Sequence, residues 1–522
     1  MYSGRLLKQS KTNAKNGCLS FAFVCIVLET ICLYPLVTFI TRIGYQHKRI
    51  PEEEIMKNLK ATLYKPILFI ALSLGIISTG VSAASAQTAR GKQILNLETK
   101  LVQNKVLMGS DGLVSMELTL SAQKLPDLPP TEQHPVDLIV VLDRSGSMEG
   151  QKIDDARYAI GRLLDRLSGR DRFALISYAN NVYTHTPLVE MSLPNVQRLR
   201  REVARIQASG GTNLGGGLQR GVNMFTSSAG INRQRKVILI SDGLANQGIT
   251  DPYQLGNIAS NGPEHNFSVS TVGVGYDFNE VLMTTIADHG GGNYSFLESP
   301  ERFAEVFEKE CRTARSVAAS GTEIRIALPR GVTLVDGGGY PIKMENRNAV
   351  IRPGDILSGQ QRNFFLTFAV PTSKKQHFSL GSITACYRNQ GTEQRVQQQT
   401  IHSVACVDNE NEVLASIDKQ AWSRQTVNDA YNKMKEKVAS AVKSGKKAEA
   451  LASISEYEAK TRKLNATLDS AEVAENLDGD VSMLKQQVQD TFTGAPAAVM
   501  QKQKAQSKAL QYESYKGRRD KQ

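Results

Sequence analysis

The stretch of sequence that decides the fold is Val136–Met148, which reads VDLIVVLDRSGSM. A nearly unbroken apolar run ends in Asp143, and two serines, Ser145 and Ser147, follow at alternate positions. Such a run is typical of a strand buried on both faces of a parallel sheet, and open α/β sheets bind ligands in the loops after these strands. A carboxylate with two hydroxyls suits a small hard dication such as Mg²⁺, so this loop predicts a metal site.

Two other segments complete the pattern. Thr212 lies in a glycine-rich loop, SGGTNLGGG at residues 209–217, whose backbone can pass close to a bound ion. Asp242 ends a second apolar run, VILISD at residues 237–242, so another buried strand brings a carboxylate to the same edge of the sheet. A D-x-S-x-S pattern alone is more often a turn or a helix cap, and it is the combination of the three segments that indicates a metal site.

In order and local context, these segments resemble the metal-ion-dependent adhesion site of the von Willebrand factor type A family, which includes the I domains of integrins. The resemblance implies that five side chains surround the ion: Asp143, Ser145, Ser147, Thr212 and Asp242. It also implies that one coordination position stays open for an acidic side chain of a partner protein. Mg²⁺ is the expected ion, with Mn²⁺ and Ca²⁺ as alternatives.

Residues 136–315 as a whole are predicted to form a doubly wound, mainly parallel, Rossmann-like α/β domain. Apolar residues at helical spacing in Lys152–Leu167 are followed by a strand at Arg172–Tyr178, and the alternation continues to a last helix at 301–314. Alternating helices and strands favour a parallel sheet covered on both faces. Asp277 has the spacing of a helix cap and is predicted to cap the next helix rather than to bind metal.

The segments on either side of this domain have the alternating pattern of strands. Residues 87–130 are too short to bury a core alone, and residues 320–408 contain several strand patterns joined by Gly and Asn turns. We therefore expect the two segments to form one β-sandwich into which the α/β domain is inserted.

From about Asn409 the composition shifts to Ala, Lys, Gln and Glu, and residues 409–522 are predicted to be helical, with a break at Gly445 and a basic tail. Part of the net charge of +12 lies in this tail. A solvated helical surface is the expected state of the tail, and contact with an anionic envelope surface is the alternative. Nucleic acid is excluded as a partner by the expected export of the chain.

The region before the first strands contains the pattern of a bacterial secretory signal peptide at residues 56–86. A basic segment that starts at Met56 precedes an apolar core at Ile67–Val81, and Ala84-Ser-Ala86 is a cleavage pattern. Residues 1–55 precede it, with an apolar stretch of their own. Initiation at Met56 is the favoured interpretation, and residues 1–55 are then an untranslated or leader segment. The alternative is that residues 1–55 are translated and belong to a membrane anchor. The mature chain is expected in the periplasm, on the cell surface or secreted.

Three cysteines follow the expected cleavage site: Cys311, Cys386 and Cys406. An odd number allows at most one internal disulfide bond. Cys386 and Cys406 lie on neighbouring predicted strands and are the candidate pair, while three buried thiols are the alternative.

Motifs of catalysis are missing from the sequence, which has no H-E-x-x-H, G-x-S-x-G or G-K-[ST] segment. The expected function is therefore that of a non-enzymatic, exported, Mg²⁺-dependent protein-binding or adhesion module. Two alternatives stay open. One is an envelope assembly or scaffold factor that binds through its helical tail, and the other is a chelatase-like accessory subunit of an ATPase, which export disfavours because the ATPase is cytoplasmic.

Overall fold

The computed structural model describes residues 93–126, 134–227, 233–299 and 302–520. The expected leader and signal peptide lie outside these residues, as does most of the linker before the α/β domain. Within the described ranges, no helix combines the length and apolarity that a membrane span requires.

The first described strands are β1 (Leu95–Leu101), β2 (Lys105–Leu107) and β3 (Leu113–Ala122). The strands of the α/β domain are β4 (Val136–Asp143), β5 (Arg172–Tyr178), β6 (Val182–Glu190), β7 (Gln234–Ser241), β8 (Ser268–Val274) and β9 (Gly291–Leu297). Its helices are α1 (Gln151–Arg166), α2 (Leu193–Ala204), α3 (Leu214–Thr226), α4 (Pro252–Ala259), α5 (Asn261–Glu264), α6 (Glu280–His289) and α7 (Phe303–Arg315).

These six strands form one sheet in the order β6-β5-β4-β7-β8-β9, in which only β6 runs antiparallel to its neighbour. All eight residues of β4 are buried. Leu138 and Val140 point into one core, and Ile139 and Val141 into the core on the opposite face. Burial on both faces is the reason that this strand is almost entirely apolar, and the predicted doubly wound α/β fold is confirmed.

The strands after the domain are β10 (Val317–Ala327), β11 (Thr333–Gly337), β12 (Lys343–Glu345), β13 (Asn348–Leu357), β14 (Gln361–Ala369), β15 (Gln376–Ser379), β16 (Ile383–Asn389), β17 (Thr392–Gln397) and β18 (Ser403–Val407). They join the first strands in sheets of order β1-β3-β14-β11, β12-β13-β10-β16-β17 and β15-β18-β2. β3 pairs with β14, and Leu118, Ile324 and Phe364 share one core. Strands from before and after the α/β domain therefore belong to the same sheets.

The C-terminal region is helical, as predicted. Its helices are α8 (Glu410–Ala415), α9 (Lys419–Arg424), α10 (Tyr431–Lys443), α11 (Lys447–Leu468), α12 (Ala471–Asn476), α13 (Ser482–Thr491) and α14 (Pro496–Arg519), with π-helical segments at Gln425–Ala430 and Leu477–Val481. Gly445 has a φ of +71°, a value that suits glycine, and it ends α10 before α11 begins. This confirms the break expected there.

The expectation of a solvated basic tail is wrong for α14. Tyr515 and Arg519 of this helix are buried, and Arg519 forms an ion pair of 2.7 Å with Asp288 of the α/β domain. Arg518 pairs with Asp336 of β11 at 2.6 Å. The tail is rich in Lys and Gln, so its composition does not show which few of its residues are buried. The acids that pair with the buried arginines lie far away in the sequence.

The proposed disulfide between Cys386 and Cys406 is not formed, and all three described cysteines are free thiols. Cys386 lies on β16, which pairs with β10 and β17, whereas Cys406 lies on β18, which pairs with β15 and β2. The strands are close in sequence but belong to different sheets, so the expectation of adjacency was wrong.

The prediction that Asp277 caps a helix is also wrong. Asn279 caps α6, because its side-chain oxygen accepts a hydrogen bond from the backbone N–H of Leu282 at 3.2 Å. Asp277 instead pairs with Lys504 of α14 at 2.8 Å. Asn and Asp cap helices equally well, so spacing alone does not distinguish the two positions.

Candidate metal centre

Three loops meet at the carboxyl edge of the α/β sheet, where the parallel strands end. β4 and β7 are parallel neighbours, with Leu142 opposite Ile240, so Asp143 is level with Ser241 and Asp242 follows one residue later at the same edge. The glycine-rich loop before α3 reaches this edge too, since the backbone N–H of Gly146 donates to the carbonyl of Gly210 at 2.9 Å. The topology thus brings the three motifs of the sequence together.

The Asp143 carboxylate is completely buried and held by neutral donors. One oxygen accepts the backbone N–H of Ser145, and the other accepts the Ser241 hydroxyl, both at 2.8 Å. Burial, together with the nearby charge of Asp242, raises the pKa of Asp143 to about 6. The charged form of this group is therefore disfavoured in the absence of a cation.

The two serines link the two carboxylates, because the Ser145 backbone N–H binds Asp143 and the two hydroxyls lead on to Asp242. Ser145 Oγ lies 3.1 Å from Ser147 Oγ, and Ser147 Oγ donates to Asp242 Oδ1 at 2.7 Å. Hydrogen bonds thus form a continuous chain from Asp143 through both serines to Asp242. Four of the five side chains that the resemblance implied lie together in this chain.

Thr212, the fifth side chain, is buried in the adjoining loop. Its backbone N–H donates to the side-chain oxygen of Asn246 at 2.8 Å. Asn180 fixes the same loop by accepting from the N–H of Gly211 at 2.5 Å and from Gln247 Nε2 at 3.0 Å. Sequence reasoning missed both asparagines, although Asn180 follows β5, a third parallel strand that ends at this edge.

Lys152 is the other residue that sequence reasoning missed. From the first turn of α1, its ammonium donates to Asp242 Oδ2 at 2.5 Å and to the backbone carbonyl of Ser147 at 3.2 Å. Its position directly after the D-x-S-x-S loop was the available signal. Lys152 thus binds one oxygen of the buried Asp242 carboxylate, and Ser147 binds the other.

The residues fit a divalent cation. Hydroxyl and carboxylate oxygens suit Mg²⁺, and the raised pKa of Asp143 indicates negative charge that its neutral neighbours do not balance. The described part of the chain has no group of three or more His, Cys, Asp or Glu side chains suited to a metal. This centre differs from such groups because it has two carboxylates and three hydroxyls, a set rich in neutral oxygen donors.

A cavity of about 1420 Å³ lies elsewhere in the described residues. It is at the opposite edge of the sheet, between the α/β domain and the sandwich, and its lining includes Phe267, Arg315 and Arg352. These arginines are paired, Arg315 with Asp171 and Arg352 with Glu323. The cavity is thus a feature separate from the metal centre.

Known proteins share this architecture. The model of the von Willebrand factor type A domain matches residues 137–309. An uncharacterised Synechocystis protein is 25% identical over 281 residues, which cover 48% of this chain and 66% of that protein. Inter-alpha-trypsin inhibitor heavy chain H4 of Homo sapiens is 34% identical over 164 residues, 30% of this chain and 18% of that protein. The chain thus spans less than two thirds of either relative.

A solved structure extends the likeness beyond the α/β domain. The von Willebrand factor type A protein of Catenulispora acidiphila superposes with a TM-score of 0.60 at 17% identity. The superposition covers 81% of this chain and 97% of that one. At this identity the likeness concerns the fold, and it extends to the elements around the α/β domain.

Proposed function

We propose that the von Willebrand factor type A domain formed by residues 137–309 binds a partner protein through a divalent cation, in an exported chain without enzymatic activity. Mg²⁺ is the proposed ion, and its proposed ligands are Asp143, Ser145, Ser147, Thr212 and Asp242. The bound ion would supply a positive centre for an acidic side chain of the partner. The observation that carries the proposal is the continuous chain of hydrogen bonds from Asp143 to Asp242.

The charges of the site support an acidic partner. Only two carboxylates face a dication, and Lys152 already neutralises one oxygen of Asp242. An external carboxylate would therefore meet uncompensated positive charge in a partly dehydrated cleft, where a charge-assisted bond is strongest. Domains of this family are typically protein-interaction or adhesion modules, which agrees with this assignment.

Export is part of the proposal. The signal peptide pattern of residues 56–86 supports a mature chain outside the cytoplasm, in the periplasm or on the cell surface. The scaffold alternative loses support, because basic side chains of α14 such as Lys508, Arg518 and Arg519 are used in internal ion pairs.

Calorimetric titration of the purified chain with Mg²⁺ tests the proposal. Removing a carboxylate from the ion should weaken binding by about 100-fold or more, and we expect Asp143→Ala to do so. Asp165→Ala is the matched control, since this carboxylate is exposed on α1 and pairs with Arg200. Equal Mg²⁺ affinity in Asp143→Ala and Asp165→Ala would contradict the proposal, as would a wild-type chain that takes up no Mg²⁺.

A further inference from the structure

Two large apolar side chains are exposed close to the candidate metal centre. Tyr183, at the start of β6, is 50% exposed, and Leu244, two residues after Asp242, is 58% exposed. Single exposed apolar residues are ordinary on protein surfaces, so their location decides whether they matter. We call Tyr183 and Leu244 the apolar rim.

Leu244 lies in a loop that is fixed on both sides to proposed ligand residues. A side-chain carbon at the position of Gly243 would lie 3.2 Å from Ser147 Oγ, so this glycine directly adjoins the site. Two residues after Leu244, the backbone N–H of Asn246 donates to the carbonyl of Thr212 at 3.2 Å. Leu244 is therefore held at the surface next to the ion site.

Tyr183 is tied to the first metal loop through Arg144, the residue between Asp143 and Ser145. The Arg144 guanidinium lies over the Tyr183 ring, 4.9 Å from its centre, and donates to Ser209 Oγ at 3.0 Å. The backbone N–H of Ser209 donates in turn to the carbonyl of Arg144 at 2.8 Å. An aromatic face and a guanidinium thus adjoin the site beside the D-x-S-x-S loop.

We infer that the apolar rim is part of the partner-binding face, and that the partner is a protein surface on which the metal-binding carboxylate adjoins large apolar side chains. The inference rests on the proposed function and specifies the partner. The Arg144 guanidinium and the ion favour an acidic residue, and apolar contacts around it would exclude water and strengthen the charged bond. Because backbone hydrogen bonds already order these loops, little conformational entropy is lost on binding.

The test uses a phage-displayed library of random peptides, selected on the full chain in Mg²⁺. We expect enriched peptides to place Asp or Glu close to a large apolar residue. Their dissociation constants are then measured for Leu244→Ser and Tyr183→Ser. Each change should weaken binding roughly tenfold, because an apolar side chain buried at an interface is removed.

Matched controls come from exposed residues of the same types outside the rim. Leu193 is 72% exposed on α2, which starts at the opposite edge of the sheet, and Tyr158 is 66% exposed on α1. Leu193→Ser and Tyr158→Ser should leave peptide binding unchanged. The four side chains are half-exposed or more, so thermal unfolding should change little in each variant, and most in Tyr183→Ser, which loses its contact with Arg144.

Repeating each measurement in EDTA separates the two proposals. If the peptides need Mg²⁺ yet bind the rim variants with wild-type affinity, that result would overturn the inference about the apolar rim and leave the proposed function standing. Peptides that bind equally in EDTA, or a selection that enriches none, would overturn the proposed function and the rim with it. Binding that is lost in EDTA and weakened only by the rim variants supports both.

Discussion

The carboxyl edge and the tail interface both contain buried carboxylates of the α/β domain. Asp242 at the carboxyl edge pairs with a lysine, as the acids of the tail interface pair with basic side chains, but Asp143 does not. We define the tail interface by Glu280, Asp288, Lys508, Tyr515 and Arg519. There, Arg519 and the Tyr515 hydroxyl both bind Asp288, and Lys508 binds Glu280 at 2.7 Å. At the carboxyl edge, Asp143 receives hydrogen bonds from neutral donors.

The difference distinguishes structural acids from functional ones. A buried carboxylate matched by an arginine is satisfied by the fold and stabilises the folded chain only as long as its partner remains. A buried carboxylate with a raised pKa and neutral neighbours is costly to the fold, and such groups mark functional sites. Asp143 has the features of the second kind, in agreement with its proposed role, and Asp288 has those of the first.

The largest expected effect comes from breaking the tail interface. Arg519→Ala leaves the Asp288 carboxylate buried without its cation and should lower the free energy of unfolding by about 3–5 kcal/mol. Urea denaturation measures the change. Lys504→Ala is the matched control on the same helix, because its pair with Asp277 is exposed and should contribute no more than about 1 kcal/mol. If the two variants lose similar amounts of free energy of unfolding, the buried pair of Arg519 with Asp288 does not stabilise the fold more than an exposed pair.

A pair of neutral substitutions should give effects of opposite sign at the two places. In EDTA, Asp143→Asn removes a buried carboxylate whose pKa is raised to about 6, so the free energy of unfolding at pH 7 should rise by about 1–3 kcal/mol. Asp288→Asn should lower it by about 2–4 kcal/mol, because Arg519 stays buried without a counter-charge. Thermal unfolding of both variants at pH 7 measures the two changes. If both variants lose stability, Asp143 is a structural acid as well.

The smallest effect concerns Lys508. Burial lowers its pKa to about 8, although the pair with Glu280 opposes the shift. The ordinary pKa of a lysine is 10.5. Between pH 8 and pH 10.5, the unfolded chain therefore keeps a proton on Lys508 that the folded chain has released, so the free energy of unfolding should increase with pH. Lys508→Met should lack this contribution, which amounts to roughly 1 kcal/mol at pH 9. Denaturation of both chains at pH 7, 8 and 9 measures it, and parallel curves would contradict the prediction.

The sequence predicted what depends on periodicity and local order. The apolar run ending in Asp143 and the run ending in Asp242 fix two parallel strands, and parallel strands bring their ends to one edge, so the proximity of these acids was predictable. The contact of Lys152 with Asp242 depends on where α1 crosses that edge. The burial of Arg519 depends on an acid 231 residues away. No local pattern contains such information. For the same reason Cys386 and Cys406 were predicted to lie on neighbouring strands, whereas β16 and β18 belong to different sheets.

Ion pairs of the C-terminal helices join residues that lie far apart in the sequence, and this separation affects the order in which parts of the chain fold. Asp288 and Arg519 are 231 residues apart, and Arg424 reaches Glu117 of β3 across 307 residues. Contacts of this range form late, since the entropy of closing a long loop is lost before the contact stabilises anything. The parallel sheet, built from strands much closer in sequence, should therefore assemble while Glu280 and Asp288 are still in water. We therefore expect helix α14 to close over them late in folding.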